Sequence, residues 1–254
     1  MVPSARTSTV ITVLIAAVLT LSTKAQTPAP NTTEWESEAL KLRLFYPSDL
    51  VKADPEQIMH DGQITLFGIS GASDPNLAEA THCLRPELLL ELRQSPSRLN
   101  AKVEPGFGGG TRVTTTPSVA ATIMLAELDI NCLTPDQQNK ATNLLSDMAE
   151  IVNKIPGMKS IAQPATYTIG WQKIHMAAAQ GQPKAQPNPV DPQLSGQLPL
   201  YTMGLSTNWN SHLFVWYFSS NNIDTLNRIT KTTVRFGRDQ AAPLYPLTIG
   251  NATP

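Results

Sequence analysis

The feature that most restricts this chain is its N-terminus. Met1-Val-Pro-Ser-Ala-Arg6 is a short, weakly positive leader, and Ser8 to Leu21 (STVITVLIAAVLTL) runs apolar. Thr23-Lys24-Ala25 then offers small residues around a cut after Ala25. This is the layout of a secretory signal peptide, with an apolar region too short to span a bilayer comfortably. An uncleaved anchor would need a longer apolar span. No cysteine stands near the cut to carry a lipid, and no later stretch approaches transmembrane length. Residues 1–25 are therefore predicted to be removed, leaving a protein that folds outside the cytoplasm, periplasmic or secreted. Charge sets a second limit: 19 Lys plus Arg against 20 Asp plus Glu lacks the basic excess of a nucleic-acid binder.

Export changes the meaning of the two cysteines, because an even pair in an oxidising compartment reads as a bridge before it reads as a metal or redox site. Cys83-Leu-Arg-Pro86 leads into Glu87 to Arg93, and Thr122 to Leu128 leads out towards Cys132. An antiparallel pairing with Cys83 opposite Cys132 sets Leu90 opposite Leu125 and Leu92 opposite Ile123, a register that a disulfide would pin. The loop-entropy model assigns such a bridge about 4 kcal/mol. Two buried free thiols are the alternative.

Residues 26–37 are expected as a flexible leader, and residues 38–239 as a single α+β domain. A first strand is predicted from Leu40 to Tyr46, with leucines on one face and Lys41 and Arg43 on the other. A second runs from Ile64 to Ser70, and Asp74-Pro75 starts a helix that Pro86 limits. Loop insertions are expected at 94–121, carrying Gly106-Phe-Gly-Gly-Gly110, and at the Pro/Gln-rich 180–199. Between them, Thr134-Pro-Asp-Gln137 is a capping box for one helix whose apolar face is Ala141, Leu144, Leu145, Met148, Ile151, Val152 and Ile155. Tyr167 to Ala179 reads as one strand, and Leu200 to Asn208 with His212 to Ser219 as a hairpin. Strand alternation puts Phe214, Trp216 and Phe218 on one face and Leu213, Val215 and Tyr217 on the other, so this strand is predicted to be covered on both sides. Asn221-Asn222 caps a last helix with Ile223, Leu226 and Ile229 inward. The tail 240–254 reads as loop.

The element order resembles PsbP-like and Mog1-like domains. The likeness rests on Phe45-Tyr-Pro-Ser-Asp49 at the end of the first strand, on the aromatic strand His212 to Ser219, and on the terminal helix with Thr233-Val-Arg-Phe236 after it. The ending Leu226 to Gly237 (LNRITKTTVRFG) also resembles that of an uncharacterised family of secreted bacterial proteins. The likeness implies an antiparallel sheet flanked by helices, a PsbP/Mog1-like sandwich with long insertions, acting as a binding or assembly factor.

Catalytic patterns are poorly represented. Gly68-Ile-Ser-Gly71 lacks the spacing of a nucleophile elbow, and the Gly-rich run at 106–110 lacks the Lys-Ser/Thr of a phosphate loop. His60, His82, His175 and His212 are dispersed without ligand spacing, so no metal site or cofactor is predicted. Glu87, Glu91 and Glu127 read as solvated charges on a sheet face. Arg228, Lys231, Arg235 and Arg238 follow at spacings of three, four and three, which sets them along one face of a sufficiently long helix. That stripe is the predicted contact for an acidic partner or an anionic polymer, a protein or envelope partner in either case; a merely solvated helix face is its alternative. The favoured function is an exported non-catalytic binding or assembly module of the cell envelope. A hydrolase-type enzyme is the rival, to be recognised by a pocket joining His175 or His212 to a carboxylate.

Overall fold

A computed structural model describes residues 31–54, 86–94, 119–181 and 199–250, together with the backbone of 101–105 and 111–115. The predicted signal sequence, the predicted strand at 64–70, the predicted helix before Pro86, Cys83 and the segment 182–198 lie outside the described residues.

The chain is an α+β protein built on antiparallel strands. Strands β3 (Leu50–Lys52), β4 (Pro86–Gln94), β7 (Ala121–Asp129), β8 (Met158–Ile169), β9 (Gln172–Gly181), β10 (Leu200–Trp209) and β11 (His212–Ser220) form one seven-stranded sheet in the order β3-β4-β7-β11-β10-β9-β8. A second sheet joins β1 (Thr32–Ser37), β2 (Leu42–Pro47), β12 (Thr233–Phe236) and β13 (Ala242–Pro243) in that order. Helices α1 (Pro135–Thr142) and α2 (Leu145–Lys154) cover one face of the large sheet. The small sheet and α3 (Ile223–Ile229) cover the other.

Alternation along β11 explains this three-layer arrangement. Phe214, Trp216 and Phe218 are fully buried against Leu42, Leu44, Val234 and Phe236 of the small sheet. Leu213 and Val215, on the opposite face, are buried beneath α1 and α2 with Leu145 and Met148. A strand apolar on both faces has to be central, and β11 is the middle strand of the seven.

Local chemistry accounts for the boundaries. Thr134 closes the predicted capping box with Gln137 at the start of α1. The single helix expected from the periodicity is broken in two. Thr142 turns its hydroxyl back to the Gln138 carbonyl at 2.9 Å, and the amides of Asn143 and Leu144 donate to the carbonyls three residues back, a tight 3₁₀ turn. The strand expected at 167–179 is two strands, because Gly170 takes the positive φ of 56° needed at the first central position of a two-residue hairpin. The β10–β11 hairpin turns through Asn210 and Ser211 at φ 53° and 60°, both left-handed, matching the twist of its flanking strands.

Three further expectations change. Residues 32–37, read as leader, form β1 along β2. Within the insert 94–121, residues 101–105 and 111–115 pair as a separate hairpin, β5 and β6. The tail, read as loop, buries Leu244, Tyr245 and Ile249 in the main core. The β4–β7 register does set Leu90 against Leu125 and Leu92 against Ile123. A bulge between Leu88 and Leu90 then shifts the pairing by one residue, so the ladder ends at Pro86–Leu128 out of step with the predicted alignment of the cysteines. Cys132 stands exposed in the turn after β7.

Candidate functional site

The predicted basic stripe does not share a helix face. Helix α3 ends at Ile229, where Thr230 and Thr232 turn their hydroxyls back onto the carbonyls of Asn227 and Ile229. Hydroxyl-to-backbone bonds of this kind offer the chain an alternative to further helix, and it leaves as β12. Arg228 and Lys231 then line one cleft of about 430 Å³, while Arg235 and Arg238 line another of about 300 Å³. In the first, Arg228 is already engaged by Asp49 at 2.7 Å, an exposed pair that contributes little to stability.

The second cleft is built by two turns and a sheet register. Pairing of β2 with β12 sets Arg235 directly opposite Arg43, and β1 sets Glu36 on the other side of Arg43. Arg43 is held by Glu36 and, at 3.3 Å, by Glu34. Like charges facing each other across a ladder repel, and Glu36 and Glu34 are spent on Arg43. The buried Nε of Arg235 has no hydrogen-bond partner among the described residues. Lys41, at φ 52°, and Gly237, at φ 56°, bring the β1–β2 and β12–β13 turns together, with the Gly237 amide donating to the Lys41 carbonyl at 2.7 Å. Trp209 braces the same corner by donating its indole N–H to Leu40 at 3.0 Å. Lys41 and Arg238 thus sit beside Arg235, with Glu38 as the further acid of the cleft. A planar guanidinium with unused donors suits a carboxylate or phosphate. Lys41 and Arg43 were visible as the polar face of the first strand; what the sequence did not carry was the pairing of that strand with one about 190 residues later.

The three glutamates are not uniformly solvated sheet-face charges. Glu91 is fully buried and ion-paired with Arg93. Glu127 faces Glu87 across β4–β7 and Phe214 across β7–β11, and its side chain is 11% exposed. Burial, then Glu87 and Asp129, push its carboxyl up to about 7. His212, 14% exposed, brings Nδ1 to 3.4 Å from the Glu127 carboxylate, and Asn131 approaches its Nε2 at 3.5 Å. The histidine and carboxylate named as the mark of an enzyme therefore do meet, though neither lines any of the three clefts described here.

His175 lines a third cleft with Lys173, and burial and that lysine lower its pKa. Among the described residues no group of three or more His, Cys, Asp or Glu is placed to hold a metal ion, and no helix is long and apolar enough to cross a membrane.

No family model matches this chain, and no curated protein matches it. Among solved structures it is similar to LpqN, involved in cell envelope biogenesis of Mycobacterium tuberculosis, with 10% identity and a TM-score of 0.33 over 63% of this chain and 99% of that one.

Proposed function

We propose that this protein is an exported, non-catalytic binding or assembly module of the cell envelope, and that the cleft of Arg235, Arg238 and Lys41 takes a carboxylate or phosphate of its partner. The observation that carries the reading is Arg235, whose guanidinium opposes a second arginine and keeps a buried Nε without a partner. An incoming anion in the cleft relieves the repulsion between the two guanidinium groups. The proposal includes cleavage of the signal sequence near Ala25, a PsbP/Mog1-like order of elements in one domain that takes in β1 and the C-terminal tail as well as residues 38–239, and a Cys83–Cys132 bridge, which non-reducing peptide mapping reads directly. It replaces the four-residue helix stripe with Arg235 and Arg238 as the contact, joined by Lys41.

The test is crosslinking and pull-down of the exported protein in its native compartment, with co-purified molecules identified by mass spectrometry. Arg235→Glu with Arg238→Glu should reduce recovery of the partner at least tenfold, while Arg228→Glu leaves it within about twofold. Equal recovery by all three proteins sinks the reading. Addition of inorganic phosphate or citrate to the wash distinguishes the two anion chemistries by which one releases the partner.

A second reading, a hydrolase-type enzyme, is favoured by one observation, the His212–Glu127 contact. Turnover of an ester or glycoside panel that disappears in His212→Asn would move the assignment to it.

A further inference from the structure

We infer that the groove beside Trp171 binds the ring of a neutral saccharide. Trp171 stands at the tip of the β8–β9 hairpin with 90% of its surface exposed, whereas Trp216 is fully buried in the core. A hairpin tip needs Gly170 for its turn, but nothing in the turn calls for an indole after it.

Beside the indole lies a cleft of about 340 Å³, walled by Thr142 and Asn143 from the α1–α2 break, Gln172 and His175 from β9, and Asn208 from β10. Its polar groups are held in place from behind. Asn208 donates to Thr142 at 3.3 Å, and Thr142 donates on to the Gln138 carbonyl. Nδ1 of His175 lies 3.4 Å from the Thr166 hydroxyl, which leaves its Nε2 for a ligand. Burial and the neighbouring Lys173 favour the neutral imidazole, which can accept as well as donate. The lining thus combines carboxamides, a hydroxyl and an imidazole with one ammonium, Lys173, and one apolar side chain, Leu145, and contains no carboxylate.

Carboxamides both donate and accept, which matches the vicinal hydroxyls of a sugar, and a flat exposed indole matches the C–H face of the same ring. A zwitterionic lipid surface would ask for further apolar side chains around the tryptophan. Here the neighbours are Gln172 and Lys173. A partner strand would ask for a free sheet edge, and this lining draws on β9 and β10, both interior to the sheet. The inference stands on residues separate from the basic cleft and holds whether or not that cleft binds an anion.

The test is affinity electrophoresis of the full mature chain through gels carrying a neutral mannan, galactan or β-glucan, with flotation on phosphatidylcholine vesicles run alongside. At least one polysaccharide should retard the protein. Trp171→Ala should weaken that retardation about tenfold to a hundredfold, as expected when an aromatic anchor is truncated, and Trp171→Phe less. Arg235→Glu should leave it unchanged, and an unchanged melting temperature shows that Trp171→Ala is folded. Failure of all three polysaccharides, retardation indifferent to Trp171→Ala, or Trp171-dependent flotation with the vesicles overturns the inference.

Discussion

Glu127 shows what a single residue acquires from its neighbours. In isolation it is an ordinary acid on an alternating strand. In the fold it is enclosed beside Glu87, Asp129 and His212, and its carboxyl titrates near 7 instead of 4.5. A raised carboxyl pKa means that the native state holds its proton where the unfolded chain has lost it. The stabilisation is complete below pH 4.5, declines as pH rises through the window up to about 7, and is absent above it. Thermal unfolding followed across that window should show this slope. Glu127→Gln, which keeps the shape without the charge, should flatten it and gain on the order of 1 kcal/mol over the parent above the window. A variant with the parent's slope would show that the acid is better solvated than the geometry implies. The glutamate itself was legible in the sequence; its enclosure was not, because Glu87 and His212 reach it only through pairing with β4 and β11.

Among the elements, α2 depends most on what the sheet leaves out. Gly204 of β10 faces this helix, and a Cβ there would collide with the carbonyl oxygen of Ala149. Ser206 donates to the carbonyl of Leu145 and Tyr217 to that of Met148, so the sheet bonds the helix backbone as well as packing on it. Close seating is possible because Gly204, Ala177 and Ala179 are small, the two alanines fully buried. Gly204→Ala should therefore cost about 2–3 kcal/mol in chemical denaturation, since the colliding atom is backbone and cannot swing aside. Gly250→Ala, with open space around it, serves as the neutral control. Periodicity predicted a helix packed on the sheet and named its buried face correctly in Leu145, Met148 and Val152. It missed the break at Asn143 because apolar spacing continues across it, while the hydroxyl of Thr142 decides the local geometry.

At the scale of the whole molecule, the C-terminal tail closes the core between the small sheet and α3. The amides of Leu244 and Tyr245 donate to the carbonyls of Thr232 and Thr230 at 2.8 and 3.0 Å. Buried Asn227 grips the chain further on, donating to the Ile249 carbonyl at 3.0 Å and accepting from its amide at 2.8 Å. Tyr167 donates to the Leu244 carbonyl and stacks edge-on against Tyr245, tying β8 to the same segment. Asn227→Ala should cost about 2–3 kcal/mol, because it leaves a buried amide and carbonyl of Ile249 unmet. Differential scanning calorimetry would read this as a fall in melting temperature of at least several degrees. A change under about 0.5 kcal/mol would mean that the tail is not held through this residue.

Taken alone, the sequence determined whatever depends on near neighbours. Alternation and turn residues marked the doubly covered strand at His212 to Ser219 and its hairpin partner, and capping chemistry marked the starts of two helices at Thr134 and at Asn221-Asn222. The tertiary structure decided which strands meet. The 2.0-residue period says which face a side chain takes and nothing about who stands opposite. Only the fold brings Arg43 against Arg235, encloses Glu127 beside His212, and sets Trp171 over a polar groove drawn from three parts of the chain. Charge spacing along the sequence predicted one basic face. Two hydroxyls ending a short helix divided it, because a local hydrogen bond outweighs the weak preference for continuing a helix once β12 has a sheet to join.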